Sequence, residues 1–146
     1  MEIEIKEITE ADFSGIFGLV NYELGYHDLN YHQFIQRLKL MISSDNYQTL
    51  VAKDDNKVVG FISLLIFCTL EYDGLVLKVN GLAVLENYQG TGIGTRLLEA
   101  GEKYARDHQC VLINLNSGLQ RIKAHQFYLN RGYLKKGYSF AKKIDC

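Results

Sequence analysis

The sequence contains no proline in 146 residues, where an average usage of about 5% would supply roughly seven. No functional reading attaches to that lack. Other scarcities say more. Cysteine occurs only at Cys68, Cys110 and Cys146, an odd number without metal-ligand spacing. That argues against a disulfide framework or a metal site and favours a reducing compartment. Cys68 and Cys110 lie in apolar runs and are expected to be small buried hydrophobes. No leader-like apolar stretch opens the chain, since Met1-Glu-Ile-Glu-Ile-Lys alternates as a strand does. The longest apolar run, Phe61–Leu70, is broken by Ser63 and Thr69 and is too short to span a bilayer. A cytoplasmic protein without a membrane partner is expected. Charge of one sign is also not in excess. Lys and Arg total 16 against 17 Asp and Glu, which argues against a nucleic-acid partner held by bulk electrostatics. The lysines at 135, 136, 142 and 143 read as a solvated strand edge.

What remains is an ordinary globular composition, 47% hydrophobic and 23% charged, in a chain long enough to bury one core. No repeat, linker or composition break divides it, so residues 1–146 are read as a single domain. Glu2–Ile8 alternates as a half-buried strand. Thr9 with Asp12 three residues later resembles a helix N-cap, and Phe13, Ile16, Phe17 and Val20 follow at helical spacing. Gly25–Asn30 interrupts the helix, and Tyr31–Ile42 resumes it with Phe34, Leu38 and Ile42 as its stripe. Tyr47–Lys53 and Lys57–Phe67 flank Asp54-Asp55-Asn56 and read as a hairpin. A strand over Leu75–Val84, a helix over Gly92–His108 with Ile93, Leu97, Leu98 and Tyr104 inward, and a strand over Val111–Leu115 form a βαβ unit with parallel strands. A helix over Leu119–Asn130 and one or two closing strands over Gly132–Ile144 complete the chain. The class is α+β (α/β mixed), with a mixed central sheet and helices on both faces.

Gln89-Gly-Thr-Gly-Ile-Gly94 joins the strand of that unit to its helix. Glycines at 90, 92 and 94 let the backbone turn tightly and approach a ligand, with amides aimed where the helix N-terminus points. This is an anion site by geometry and dipole together. It is neither a P-loop, since Thr95 and Arg96 follow Gly94, nor a dinucleotide fingerprint, since Thr95 stands where a glycine is needed.

Leu82-Ala-Val84 followed by Gln89-Gly-Thr-Gly92-Ile-Gly94 resembles the coenzyme motif of the GNAT superfamily of N-acetyltransferases. A second motif of that family is matched by Ala124-His-Gln-Phe127-Tyr128-Leu-Asn-Arg-Gly132-Tyr133. The resemblance implies the GNAT-like acyl-CoA N-acyltransferase fold and acetyl-CoA as co-substrate. It further implies that the backbone of Leu82, Ala83 and Val84 pairs with pantetheine. The amides of Gln89, Gly90, Thr91, Gly92, Ile93 and Gly94, with Thr95, then hold the pyrophosphate. Arg96 either adds charge there or is a solvated helix residue. By the same resemblance Tyr128 is the acid that protonates the leaving thiolate, and an amide near Val84 is the oxyanion donor.

Two departures stand out. Arg121 occupies the place where many members carry Asn, in a stretch with Ser117, Gly118 and His125. No carboxylate falls in Leu75–Asn80 to serve as base. The candidates are Glu71, taken first, then Asp73, Glu23 and His27, or a water chain that needs no carboxylate. The acceptor wall implied is Glu23–Tyr31 with Glu71–Gly74, where Glu23, Tyr26 and His27 could receive a cationic amine by charge and cation–π attraction. The acceptor is then a small-molecule amine or a peptide or protein amine. The closing strand could pair across a two-fold axis to give a homodimer. The alternative to an enzyme is a CoA-binding sensor or interaction module, supported by the lack of an obvious base.

Overall fold

The computed structural model describes residues 2–145, which fall into two compact units, 2–114 and 115–145. Cys146 lies outside the described residues.

The first unit is a sheet with helices on both faces. Strand β1 (Ile3–Glu7) leads to a 3-10 turn at Glu10–Asp12 and then helix α1 (Phe13–Tyr22). The Thr9 signal is realised: the Asp12 carboxylate accepts from the Thr9 amide at 2.9 Å and the Thr9 hydroxyl at 3.2 Å. Helix α2 (Tyr31–Ile42) starts at Asn30, whose side chain accepts from the Gln33 amide at 3.0 Å. Strands β2 (Tyr47–Asp54) and β3 (Lys57–Cys68) close over Asp55-Asn56, with Asp55 at φ 53°. Aspartate tolerates that left-handed conformation better than most residues. Strand β4 (Leu75–Val84), helix α3 (Ile93–Asp107) and strand β5 (Cys110–Leu115) follow. The sheet order is β1-β2-β3-β4-β5; the first three pairs are antiparallel and the whole is mixed.

Period-two alternation sorts the two faces. Val51, Phe61 and Ala83 stand opposite one another across β2, β3 and β4. They share a core with Phe13, Ile16 and Leu19 of α1 and Phe34 and Leu38 of α2. The intervening residues Gly60, Ile62 and Leu64 face α3. A Cβ built at Gly60 would lie 3.1 Å from Leu97 Cδ1, and one at Gly101 would lie 3.1 Å from Ile62 Cδ1. Glycine at these two positions lets helix and sheet approach closely. On α3, Ile93, Leu97, Leu98 and Ala105 are buried as the spacing requires, and Tyr104 is half-buried.

The second unit contains helix α4 (Ile122–Leu129), shorter at both ends than the helix expected over Leu119–Asn130. The closing strands expected over Gly132–Ile144 do not form among the described residues. Leu134, Tyr138, Phe140 and Ile144 are exposed instead. Alternation specifies a face and not a ladder, and a strand without a ladder is not stable. Burial also corrects the reading of the cysteines: Cys68, at the open end of β3, is exposed and Cys110 is half-buried. Its apolar run ends where the sheet runs out.

Candidate active site

Strand β4 is irregular at its centre. Gly81 stands opposite Ser63 and Val79 opposite Leu64, so Asn80 is an extra residue in β4, a β-bulge. A bulge leaves backbone groups unpaired and is common beside functional sites. Asn80-Gly81 was its signal in the sequence, since glycine inside a strand pattern suggests a bulge. Beyond it, Leu82, Ala83 and Val84 pair with Ile62, Phe61 and Gly60 of β3 on one edge.

The chain then makes a 3-10 turn at Glu86–Tyr88 that is held from several directions. Tyr88 donates its hydroxyl to Asp54 Oδ2 at 2.7 Å, and that carboxylate pushes the tyrosine pKa up. Gln89 donates its side-chain amide to the Val84 carbonyl at 2.8 Å and to Glu23 Oε2 at 3.3 Å. The Glu86 amide donates to Glu23 Oε1 at 3.1 Å. None of these contacts was foreseen from sequence.

Past this frame the glycine loop opens. Gly90 has φ +79° and Gly92 φ +90°, left-handed values that favour glycine, and a Cβ at either would meet nothing within 4 Å. The space before the loop is open. Gly92 is the N-cap of α3, and no side chain caps the helix there. The first amides of a helix lack intrahelical partners, so this N-terminus offers donors to an anion. The Ile93 side chain is buried in the core at 2% exposure. Gln89, Thr91 and Gly92 are exposed, while Gly94 and Thr95 are half-buried. Arg96 turns to β1, donating to the Ile3 carbonyl at 3.0 Å. Backbone donors in an open, glycine-lined cradle suit a diphosphate such as that of coenzyme A.

The stretch between α1 and α2 approaches β4 at Gly81, where a Cβ would lie 3.8 Å from Leu24 Cδ1. Tyr22, Tyr26 and Tyr31 are all exposed there, Tyr22 by 77%. Tyr31 packs edge-on to Phe17 with centroids 5.0 Å apart, and His27 Nδ1 lies 3.0 Å from Asn21 Oδ1. Glu71 and Asp73 are both exposed in the turn between β3 and β4.

Within the second unit Tyr128 lies on α4, edge-on to Phe127 and Tyr133. Burial pushes its pKa up, partly opposed by the charge of Arg121. His125 Nε2 lies 2.8 Å from the Gly118 carbonyl, which ties the helix to the stretch before it.

The family model for the acetyltransferase (GNAT) family matches residues 4–133, nearly the whole chain. The chain belongs to that family. It is therefore an acetyl-CoA-dependent N-acetyltransferase, with acetyl-CoA as co-substrate. It is 29% identical over 141 residues to the aminoalkylphosphonate N-acetyltransferase of Salmonella typhimurium, covering 97% of this chain and 91% of that one. Its fold matches a transcriptional regulator from Bacillus halodurans at TM-score 0.92, with 22% identity over 98% of this chain and all of that one. It also matches the aminoglycoside N-acetyltransferase AAC(6')-Iy in complex with CoA at TM-score 0.86, with 13% identity over 99% of this chain and 96% of that one. No described helix of this GNAT chain is long and apolar enough to cross a membrane.

Proposed function

We propose that this acetyltransferase moves the acetyl group of acetyl-CoA directly to a small-molecule primary amine, within one ternary complex. The observation that carries the reading is the open, left-handed pair Gly90 and Gly92 at the uncapped start of α3. In this reading the amides from Gln89 to Gly94, with Thr95, hold the diphosphate. The backbone of Leu82, Ala83 and Val84 aligns the pantetheine. Residues 1–146 act as one catalytic domain, supported by a family match that runs through both units.

Acetyl-CoA supplies the thioester carbonyl and a thiolate leaving group. The amine nitrogen adds to the carbonyl carbon, its N–C bond forms, and the C–S bond breaks. An amide near Val84 stabilises the oxyanion between these steps. Tyr128, whose phenol is protonated at neutral pH at its ordinary value of about 10, gives its proton to the departing sulfur. The proton lost by the amine passes to Glu71, directly or through water.

Tyr26 and His27 stand in the acceptor wall in this reading, and the exposed tyrosines beside them suit a cationic amine. Small amines are favoured over proteins because the relatives named above are an aminoalkylphosphonate and an aminoglycoside N-acetyltransferase. A cytoplasmic reaction is supported by the two free cysteines among the described residues.

The test is calorimetric titration with acetyl-CoA, followed by thiol release against aminoalkylphosphonates, aminoglycosides, polyamines and peptides. Thiol release with a small amine and not with peptides is expected. Release only with peptides would overturn the acceptor class. Binding without release on any amine would favour a coenzyme sensor.

A further inference from the structure

Glu23 ends α1 and lies 66 residues from Gln89 in sequence, yet its carboxylate spans the turn before the glycine loop. One oxygen accepts from the Glu86 amide and the other from the Gln89 side chain, which also holds the Val84 carbonyl. Both acceptor oxygens are therefore engaged with the coenzyme side of the molecule, at the two ends of one short turn. A free carboxylate this close to a diphosphate site would oppose an anionic ligand by charge. Two donated hydrogen bonds give it a different task.

We infer that Glu23 is a positioning residue for acetyl-CoA: its carboxylate clamps Glu86 and Gln89 so that the loop from Gly90 to Gly94 is pre-formed for the diphosphate. This rests on the transferase reading above, and it removes Glu23 from the acceptor wall. Preorganisation lowers the ordering cost of binding, so loss of the clamp weakens coenzyme binding although it removes a negative charge. The sign of the change thus separates positioning from simple electrostatics. Glutamine at 23 keeps an oxygen for the Glu86 amide but turns its own NH2 group toward that of Gln89, so its effect lies between wild type and alanine.

The experiment is calorimetric titration of coenzyme A into wild type, Glu23→Gln, Glu23→Ala, Gln89→Ala and the Glu23→Ala/Gln89→Ala double variant, without acceptor present. Thermal unfolding of each reports on the fold. Loss of a hydrogen bond to a charged group predicts a Kd raised roughly tenfold in Glu23→Ala and about threefold in Glu23→Gln. The double variant is expected to be no weaker than the weaker single one, because one clamp is lost only once. In steady state, the KM for acetyl-CoA rises while that of the acceptor amine holds. Unchanged or tighter coenzyme binding in folded Glu23→Ala overturns the inference, as does full additivity with Gln89→Ala. A raised acceptor KM with unchanged coenzyme Kd returns Glu23 to the acceptor wall and also overturns it. A wild-type chain that does not bind coenzyme A defeats the transferase reading itself, and this one with it.

Discussion

Lys53 of β2 extends its ammonium to 2.8 Å from Asp12 Oδ1, joining the sheet to the turn that starts α1, with Asp12 2% exposed and Lys53 17%. Burial alone would raise the Asp12 pKa, but the hydrogen bonds from Lys53 and Thr9 win and hold it below 3.8. A carboxylate with a depressed folded-state pKa contributes stability above its unfolded value. That contribution is lost as pH falls through the folded value. Lys53→Met leaves only the Thr9 hydrogen bonds against burial and is expected to cost about 2–3 kcal/mol at neutral pH, below the range for a fully enclosed pair. The deficit should narrow as acid protonates Asp12. Denaturant unfolding across about pH 2–6 checks this, and a deficit constant over that range would clear the pair of responsibility.

Gly92 distinguishes strain from occupancy. At φ +90° with open space ahead, Gly92→Ala meets no neighbour but suffers the left-handed penalty of about 1–2 kcal/mol. Gly92→Trp adds an indole where the diphosphate is expected. Urea unfolding should show both variants folded, and calorimetry should show coenzyme binding lost only in the tryptophan variant. Wild-type affinity in Gly92→Trp would mean that the loop is not the diphosphate site.

Tyr128→Phe tests the acid. A positioned general acid contributes on the order of 100-fold or more to turnover, so kcat should fall by that much while acetyl-CoA affinity holds. Because burial raises the Tyr128 pKa above 10.0, the wild-type kcat should show no alkaline loss below that value from this group. Unchanged kcat in the variant removes Tyr128 from the chemistry.

The contact between α3 and the sheet makes a prediction about stability alone. A Cβ at Gly101 would sit 3.1 Å from Ile62 Cδ1 and 3.2 Å from Leu64 Cδ2, and valine adds two more carbons there. Gly101→Val should destabilise by about 1–3 kcal/mol through overpacking, measured as a lower urea midpoint with coenzyme affinity retained. A midpoint at or above wild type would show that the interface has slack.

Much of the fold was legible because it is written locally. Asp55-Asn56 carries its own turn chemistry, and α3 begins within one residue of the expected start because Gly92 marks it. The central motif needed only neighbouring residues to be seen. What escaped depends on partners. Cys68 has the same apolar neighbours as a core residue but falls at a strand end, where alternation says nothing of burial. The alternation after Gly132 looked like a strand, yet no ladder receives it among the described residues. The clamp from Glu23 to Gln89 could not be read, because 66 residues separate the two ends and neither carries a local sign of the other.

The bulge at Asn80 has a consequence for what the sheet itself requires. Deleting that one residue would bring Val79 and Gly81 together, still opposite Leu64 and Ser63, in an unbroken ladder with every paired side chain on its present face. Such a shortened chain should unfold as cooperatively as its parent and yet turn over poorly, a comparison that calorimetry and thiol release make directly. Packing asks nothing of Asn80. An intact fold with poor turnover would show that membership of the sheet and service to the chemistry are separable in β4; turnover equal to the parent's would show that the bulge serves neither.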